Sequence, residues 1–234
     1  MDAIVMAGGK GTRMMPLTAE TPKPLLVVAG RPILEWSLLA LRPSASRVIV
    51  VAKYLKPQID AYMARQTVFS DYVVVEQNPE PLGTGHAVQV CADVLTGDRF
   101  LVMNGDDLFN AGAIARLAAE DAGLLAIAHD EPSRFGVVVT DADGRVLRLH
   151  EKPAPGTYPP PVRVNIGLYK LTSAVLGYDL PRSPRGEYEL TDYVTRLAQE
   201  TPVRMVETDF WFPIGDPAAL AAAQALDVER LVLG

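Results

Sequence analysis

Residues 3–26 read AIVMAGGKGTRMMPLTAETPKPLL. The apolar run from Ala3 to Ala7 stops at Gly8-Gly9, and a third glycine follows at Gly11 with Lys10 and Arg13 interleaved. This is the pattern of a buried strand emptying into a cationic glycine loop. Glycines carry no Cβ to hold a ligand off the backbone, so successive N–H groups can turn towards an anion while the flanking cations attract it. The guest implied is a phosphate chain. Two familiar phosphate loops are excluded, because Gly8 to Arg13 has neither a Gly-Lys-Ser/Thr ending nor Gly-x-Gly-x-x-Gly spacing.

The run Gly8-Gly9-Lys10-Gly11-Thr12-Arg13-Met14, then Pro16-Leu17-Thr18, then Pro22-Lys23-Pro24-Leu25-Leu26, closely resembles the N-terminal signature of the sugar-phosphate nucleotidylyltransferases. Members of that family join a nucleoside triphosphate to a sugar 1-phosphate and release pyrophosphate. The resemblance implies those two substrates and magnesium as cofactor.

Bulk properties agree with a small anionic ligand. The 234 residues are enough for one well-filled domain, and no composition break divides them. A formal net charge of −6 argues against a nucleic-acid binder, which needs an excess of clustered cations. Cys91 is the single cysteine, so no internal disulfide or multi-cysteine metal site is available and a reducing cytoplasm is expected. There is no basic segment leading into a long apolar core, and no apolar run of about 18 residues, so neither secretion nor membrane spanning is expected.

Along the chain, apolar runs at 48–52, 72–75, 99–103 and 123–129 read as buried strands alternating with helices at 31–41, 56–66, after Gly83, and 111–121. That alternation predicts a Rossmann-like α/β fold with a mixed, mostly parallel sheet flanked by helices. Phe135 to His150 reads as a hairpin turning at Asp141-Ala142-Asp143-Gly144, and residues 162–171 as a further strand. A helix at about 190–199, a strand at 203–207, a loop from Trp211 to Pro217 and a terminal helix over 217–230 complete the reading, with Pro32 expected inside the first turn of its helix. The expectation is one nucleotidyltransferase domain, with residues 1–110 the nucleotide-binding half and 111–234 the sugar-binding half. No internal repeat is present, and none of the β-helix hexapeptides that some relatives carry after this domain.

Nucleotidyl transfer is an in-line attack between two anions, so it calls for charge neutralisation and aim rather than a protein nucleophile. The resemblance assigns Arg13 and Lys23 to the phosphates as electrostatic catalysts, and Ala7, Gly8, Gly9, Gly11, Thr12, Gly83 and Thr84 to the nucleotide. Gln77 resembles the glutamine that reads a pyrimidine edge, which favours UTP or dTTP and leaves guanine open. For a hexose or hexosamine 1-phosphate it points to Asn104, Gly136, Glu151, Lys152 and Asn165. Asp106, at the carboxyl end of a strand, is the expected magnesium ligand, since hard carboxylate oxygen suits that ion. Relatives carry a second carboxylate in Trp-x-Asp-x-Gly, where this chain has Trp211-Phe212-Pro213-Ile214-Gly215. Asp216, Asp209 or Asp107 could replace it, or the metal could rest on Asp106, phosphates and water.

Two other functions stay open on the sequence. Pro213 is compatible with a non-catalytic nucleotide-sugar sensor, and the signature is compatible with transfer to a non-sugar phosphate such as phosphocholine. A homo-oligomer is equally open.

Overall fold

The computed structural model describes every residue from Met1 to Gly234. Its first half comprises β1 (Asp2–Met6), β2 (Val27–Val28), β3 (Arg31–Pro32), α1 (Ile33–Leu41), β4 (Arg47–Ala52), α2 (Lys56–Met63), β5 (Tyr72–Glu76) and α3 (Thr84–Gln89). The second comprises β6 (Arg99–Asn104), β7 (Asp107–Phe109), α4 (Ala111–Ala119), β8 (Gly123–His129), β9 (Gly136–Thr140), β10 (Val146–Glu151) and β11 (Val162–Thr172). After these come α5 (Leu190–Glu200), β12 (Arg204–Glu207), β13 (Trp211–Pro213), α6 (Pro217–Ala223) and α7 (Val228–Leu233).

Alternation of side chains explains why the central strands are apolar without a break. Ala3 and Val5 belong to one core cluster and Ile4 to the other; Val48 and Val50 oppose Ile49 and Val51, and Leu101 and Met103 oppose Phe100 and Val102. Both faces of the sheet are therefore covered, the first by α1, α2, α4 and α7 and the second by α3 and α5.

The nine-stranded mixed sheet runs β10-β9-β11-β6-β1-β4-β5, with β8 joined to β11 and β12 to β8. β6, β1, β4 and β5 are mutually parallel, whereas β11 runs antiparallel to β6, β8 and β9. The expected α/β architecture, a mixed sheet flanked by helices, is the one the chain adopts. Between the pairs Asn165↔Ala126 and Tyr169↔Leu124, three residues of β11 face one of β8. This bulge centres on Ile166-Gly167-Leu168 and bends the strand beneath the cleft.

Three local expectations are corrected. Trp211 to Pro213 is a strand, not loop: it pairs antiparallel with β7, Trp211 opposite Phe109 and Pro213 opposite Asp107. Pro is tolerated there because the ribbon has only two strands. The terminal helix is two helices. Gln224 ends the first and is bound to the main chain of the β2–β3 hairpin, accepting from Ala29 N–H and donating to Val27 O, while Asp227 starts the second by capping Arg230 N–H. Pro32 precedes α1 as its N-cap, in extended backbone, instead of lying in its first turn. No helix is long and apolar enough to cross a membrane.

Candidate active site

A cleft opens at the carboxyl ends of the adjacent parallel strands β1 and β6, where open α/β sheets bind ligands. It has two lobes. One, of about 550 Å³, is lined by Ala7, Gly8, Gly9, Gly11, Thr12, Gln77 and Gly83; the other, of about 710 Å³, by Gly136, Glu151, Lys152, Asn165 and Asp216. Arg13, Lys23, Thr84, Asn104, Asp106 and Glu187 line both. Every site residue expected from the sequence thus borders one continuous cleft, except the alternative metal ligand Asp209, which is exposed outside it.

The cations at the junction are held differently. Arg13 sits in the single turn Thr12–Met14 that follows left-handed Gly11, is exposed, and makes no ion pair within the chain. Lys23 opens a second short turn behind extended Pro22 and is only 6 % exposed. Its Nζ lies 2.6 Å from Asp106 Oδ2. The loop between the two cations is pinned down: Thr18 Oγ1 donates to Gly11 O at 2.9 Å, and Tyr54 OH donates to Thr18 O at 2.9 Å.

Asp106 and Asp107 have opposite surroundings. Asp106 faces the cleft, whereas Asp107 is buried and accepts from Trp211 Nε1 at 3.2 Å. Burial first, and the neighbouring Asp106 charge second, push the Asp107 carboxyl well above the usual carboxylate range. Trp211 is braced in turn by an edge-to-face contact with Phe135, centroids 5.5 Å apart.

In the first lobe Gln77, also buried, donates from Nε2 to Gly83 O at 2.9 Å. Its Oε1 approaches Gly8 so closely that a Cβ there would lie 2.9 Å away. The amide is thereby oriented with its carbonyl oxygen as the acceptor left for a ligand. His86 Nδ1 lies 3.4 Å from Gln77 Nε2, and burial together with the Arg182 charge holds the imidazole pKa below its ordinary value. Thr84 is used in a way the sequence did not suggest: its Oγ1 accepts the main-chain N–H of Leu190 at 3.0 Å.

In the second lobe Asn165 Nδ2 donates to Tyr169 OH at 2.7 Å, on the strand bent by the bulge. Gly167 there has φ +81, and a Cβ on it would stand 2.1 Å from Asn104 Nδ2, so this glycine makes room for Asn104. Glu151 faces Gly136, where a Cβ would lie 2.9 Å from Oε2. Burial raises the Glu151 carboxyl above its ordinary pKa against the lowering charge of Lys152. Lys152 is exposed in left-handed backbone with Nζ 3.9 Å from Glu151 Oε1, a loose pair open to a ligand anion.

A small divalent ion needs hard-oxygen donors. Asp107 is tied to Trp211, and Asp216 Oδ1 caps α6 by accepting Ala219 N–H at 2.8 Å. Asp106, whose Oδ2 is paired with Lys23, and Glu187 are the carboxylates left at the junction. So few carboxylates fit a small ion that retains water and is shared with substrate phosphates.

Residues absent from the sequence-based assignment also line the second lobe, notably Tyr169 and Arg185. Tyr169 lies four residues after Asn165 on one strand and hence on the same face, a signal that was available. Glu189 accepts from Ser183 Oγ and from Arg185, contacts among loop residues that no periodicity marks.

The family model described as nucleotidyl transferase matches residues 2–230. The chain belongs to the nucleotidyl transferase family. The chain is 36 % identical over 235 residues to a bifunctional GlmU protein of Methanococcus maripaludis, covering 99 % of this chain and 56 % of the relative. It is 33 % identical over 244 residues to a glucose-1-phosphate thymidylyltransferase of Streptomyces griseus, covering 100 % and 66 %. It spans little more than half the length of the GlmU relatives it matches. Among solved structures, a Bacillus anthracis chain described as a glucose-1-phosphate thymidylyltransferase, in complex with sucrose, superposes with TM-score 0.83 at 25 % identity, covering 98 % of this chain and 96 % of that one. The fold is also that of a UDP-glucose pyrophosphorylase from Acinetobacter baumanii, with TM-score 0.81, 22 % identity and coverage of 95 % and 91 %.

Proposed function

We propose that this nucleotidyl transferase converts a nucleoside triphosphate and a sugar 1-phosphate into a nucleoside diphosphate sugar and pyrophosphate, with UTP or dTTP and a hexose or hexosamine 1-phosphate as the pair. The observation that carries the reading is the two-lobed cleft with Arg13, Lys23 and Asp106 lining its shared junction. A reaction between two phosphates needs two pockets meeting where cations lie. Residues 1–110 supply most of the first lobe and residues 111–234 most of the second, in keeping with a single domain of nucleotide-binding and sugar-binding halves. The buried lone Cys91 fits a reducing cytoplasm.

In this reading the base rests against Gln77 and the Gly83–Thr84 turn, and the triphosphate crosses the glycine loop to Arg13. A uracil or thymine N3–H would donate to Gln77 Oε1. Glu151 and Asn165 engage sugar hydroxyls, and Lys152 approaches the sugar phosphate. A phosphate oxygen of the sugar 1-phosphate attacks the α-phosphorus, a new P–O bond forms, and the bond from that phosphorus to the oxygen bridging to the β-phosphorus breaks. Pyrophosphate takes that electron pair and leaves, so no proton has to be moved by the protein. Arg13 and Lys23 neutralise the equatorial oxygens as charge builds on them. Asp106 would hold magnesium, which when bound offsets phosphate charge and helps align the two reactants.

The test is pyrophosphate release across a matrix of common nucleoside triphosphates and hexose or hexosamine 1-phosphates, with phosphocholine included and Arg13→Ala as control. Release in one pairing, abolished by Arg13→Ala, is the expected result. Nucleotide binding without release in any pairing would replace the enzyme with a sensor.

A further inference from the structure

We infer that Thr84 is a positioning residue for the sugar lobe, acting at the seam between the two lobes through the start of α5. The inference rests on the reading of the two lobes given above.

The helix α5 begins without help from its own N-cap. Glu189 occupies that position, yet its side chain makes no capping bond and turns to Arg185 and Ser183. The hydroxyl oxygen that accepts the first N–H, that of Leu190, belongs to Thr84, 106 residues earlier in the chain. A helix N-terminus leaves several N–H groups without intrahelical partners, so a side-chain oxygen here fixes where the helix starts.

Two main-chain bonds flank the contact. Tyr188 N–H donates to Leu82 O and Gly85 N–H donates to Tyr188 O, both at 2.7 Å. Between them Gly83 has φ +96, and a Cβ on it would lie 2.6 Å from Tyr188 O and 2.8 Å from the Glu187 Cβ. The approach is close enough that the turn and the segment 187–190 have little freedom to shift separately.

The clamp joins the two lobes. Gly83 lines the nucleotide lobe, Thr84 and Glu187 line both, and Glu189 and Thr191 line the sugar lobe. Thr84 therefore ties the Gly83 turn of the nucleotide lobe to the segment that carries the sugar-side carboxylates. A nucleotide packed on the turn holds the sugar segment in place, and by linkage a bound sugar phosphate strengthens nucleotide binding by the same factor.

The experiment compares Thr84→Val and Thr84→Ala with Thr84→Ser. It measures KM for each substrate, calorimetric binding of glucose 1-phosphate with and without a non-hydrolysable α,β-methylene triphosphate, and amide exchange over residues 187–191. Losing this one neutral hydrogen bond should raise KM for sugar phosphate about five- to tenfold in the Val and Ala variants. KM for the nucleotide should rise at saturating sugar phosphate by the factor by which the coupling shrinks, and by less at low sugar phosphate. The gain in glucose 1-phosphate affinity caused by the nucleotide should shrink, exchange at Leu190 should quicken, and Thr84→Ser should restore both. A rise confined to the nucleotide KM would overturn the inference and make Thr84 a base contact. Unchanged glucose 1-phosphate binding in both variants would overturn it while leaving the two-lobed reading intact, whereas failure of the native protein to bind any sugar phosphate would remove that reading as well.

Discussion

Lys23 Nζ lies 2.6 Å from Asp106 Oδ2 at the place where the two lobes of the cleft meet, although 83 residues separate them. The ammonium is almost fully buried and Asp106 is its hydrogen-bond partner, so without ligands the lysine occupies the carboxylate that a metal would use. Cation and metal compete for one oxygen, and a triphosphate relieves the competition by offering the ammonium another anion. Lys23→Met should therefore tighten Mn²⁺ binding to the free protein, read by the loss of the free-ion paramagnetic resonance signal, while Asp106→Asn should abolish it. Turnover of Lys23→Met should fall by about two to three orders of magnitude, the usual effect of removing one group that stabilises transition-state charge. Mn²⁺ affinity equal to or below that of the native protein in Lys23→Met would defeat the exchange.

Gln77 presents its carbonyl oxygen beside Gly8 because its N–H is committed to Gly83 O. Gln77→Leu removes the acceptor and Gly8→Ala displaces it. Both should raise KM for the nucleotide, Gln77→Leu by about tenfold, and neither should raise that for the sugar phosphate comparably. Initial-rate kinetics with each substrate varied in turn decides this.

Gly167 is the tightest glycine in the site, with positive φ and Asn104 Nδ2 where a Cβ would go. Gly167→Ala should cost roughly 1–3 kcal/mol of stability from the backbone alone, measured by urea denaturation. Part of the additional loss from the clash should return in Gly167→Ala/Asn104→Ala, because removing the Asn104 amide relieves the contact but not the backbone strain.

Burial raises the Glu151 carboxyl above the usual range. Its acceptor capacity for sugar hydroxyls is present when ionised and is lost as pH falls through that raised pKa. KM for the sugar phosphate should rise on the acid side, beyond the change caused by the phosphate's own titration. Glu151→Gln, which cannot titrate, should show only the substrate's contribution, so the ratio of the two pH profiles isolates the residue. Parallel profiles would exclude Glu151 from sugar binding.

Local pattern and long-range closure contributed differently to what could be read. The strands β1, β4 and β6 were legible because both their faces are buried, which forces unbroken apolar runs between glycine turns. Helix ends were less so: the break after Gln224 depends on a side chain bound to a distant hairpin, and the strand at Trp211 on pairing with β7. Neither leaves a local periodic signal.

By itself the sequence determined the α/β class, the cationic glycine loop and the residues that border the cleft, because each is written in contiguous stretches whose chemistry acts over a few residues. Only the tertiary structure decided what those residues do to one another. It set Lys23 on Asp106, turned the Thr84 hydroxyl to Leu190, buried Asp107 beside half-buried Asp106, and spent one oxygen of Asp216 on a helix cap. The physical reason is that hydrogen bonds and burial are settled by which distant segments meet, and a side chain's chemical identity does not say which partner will claim it.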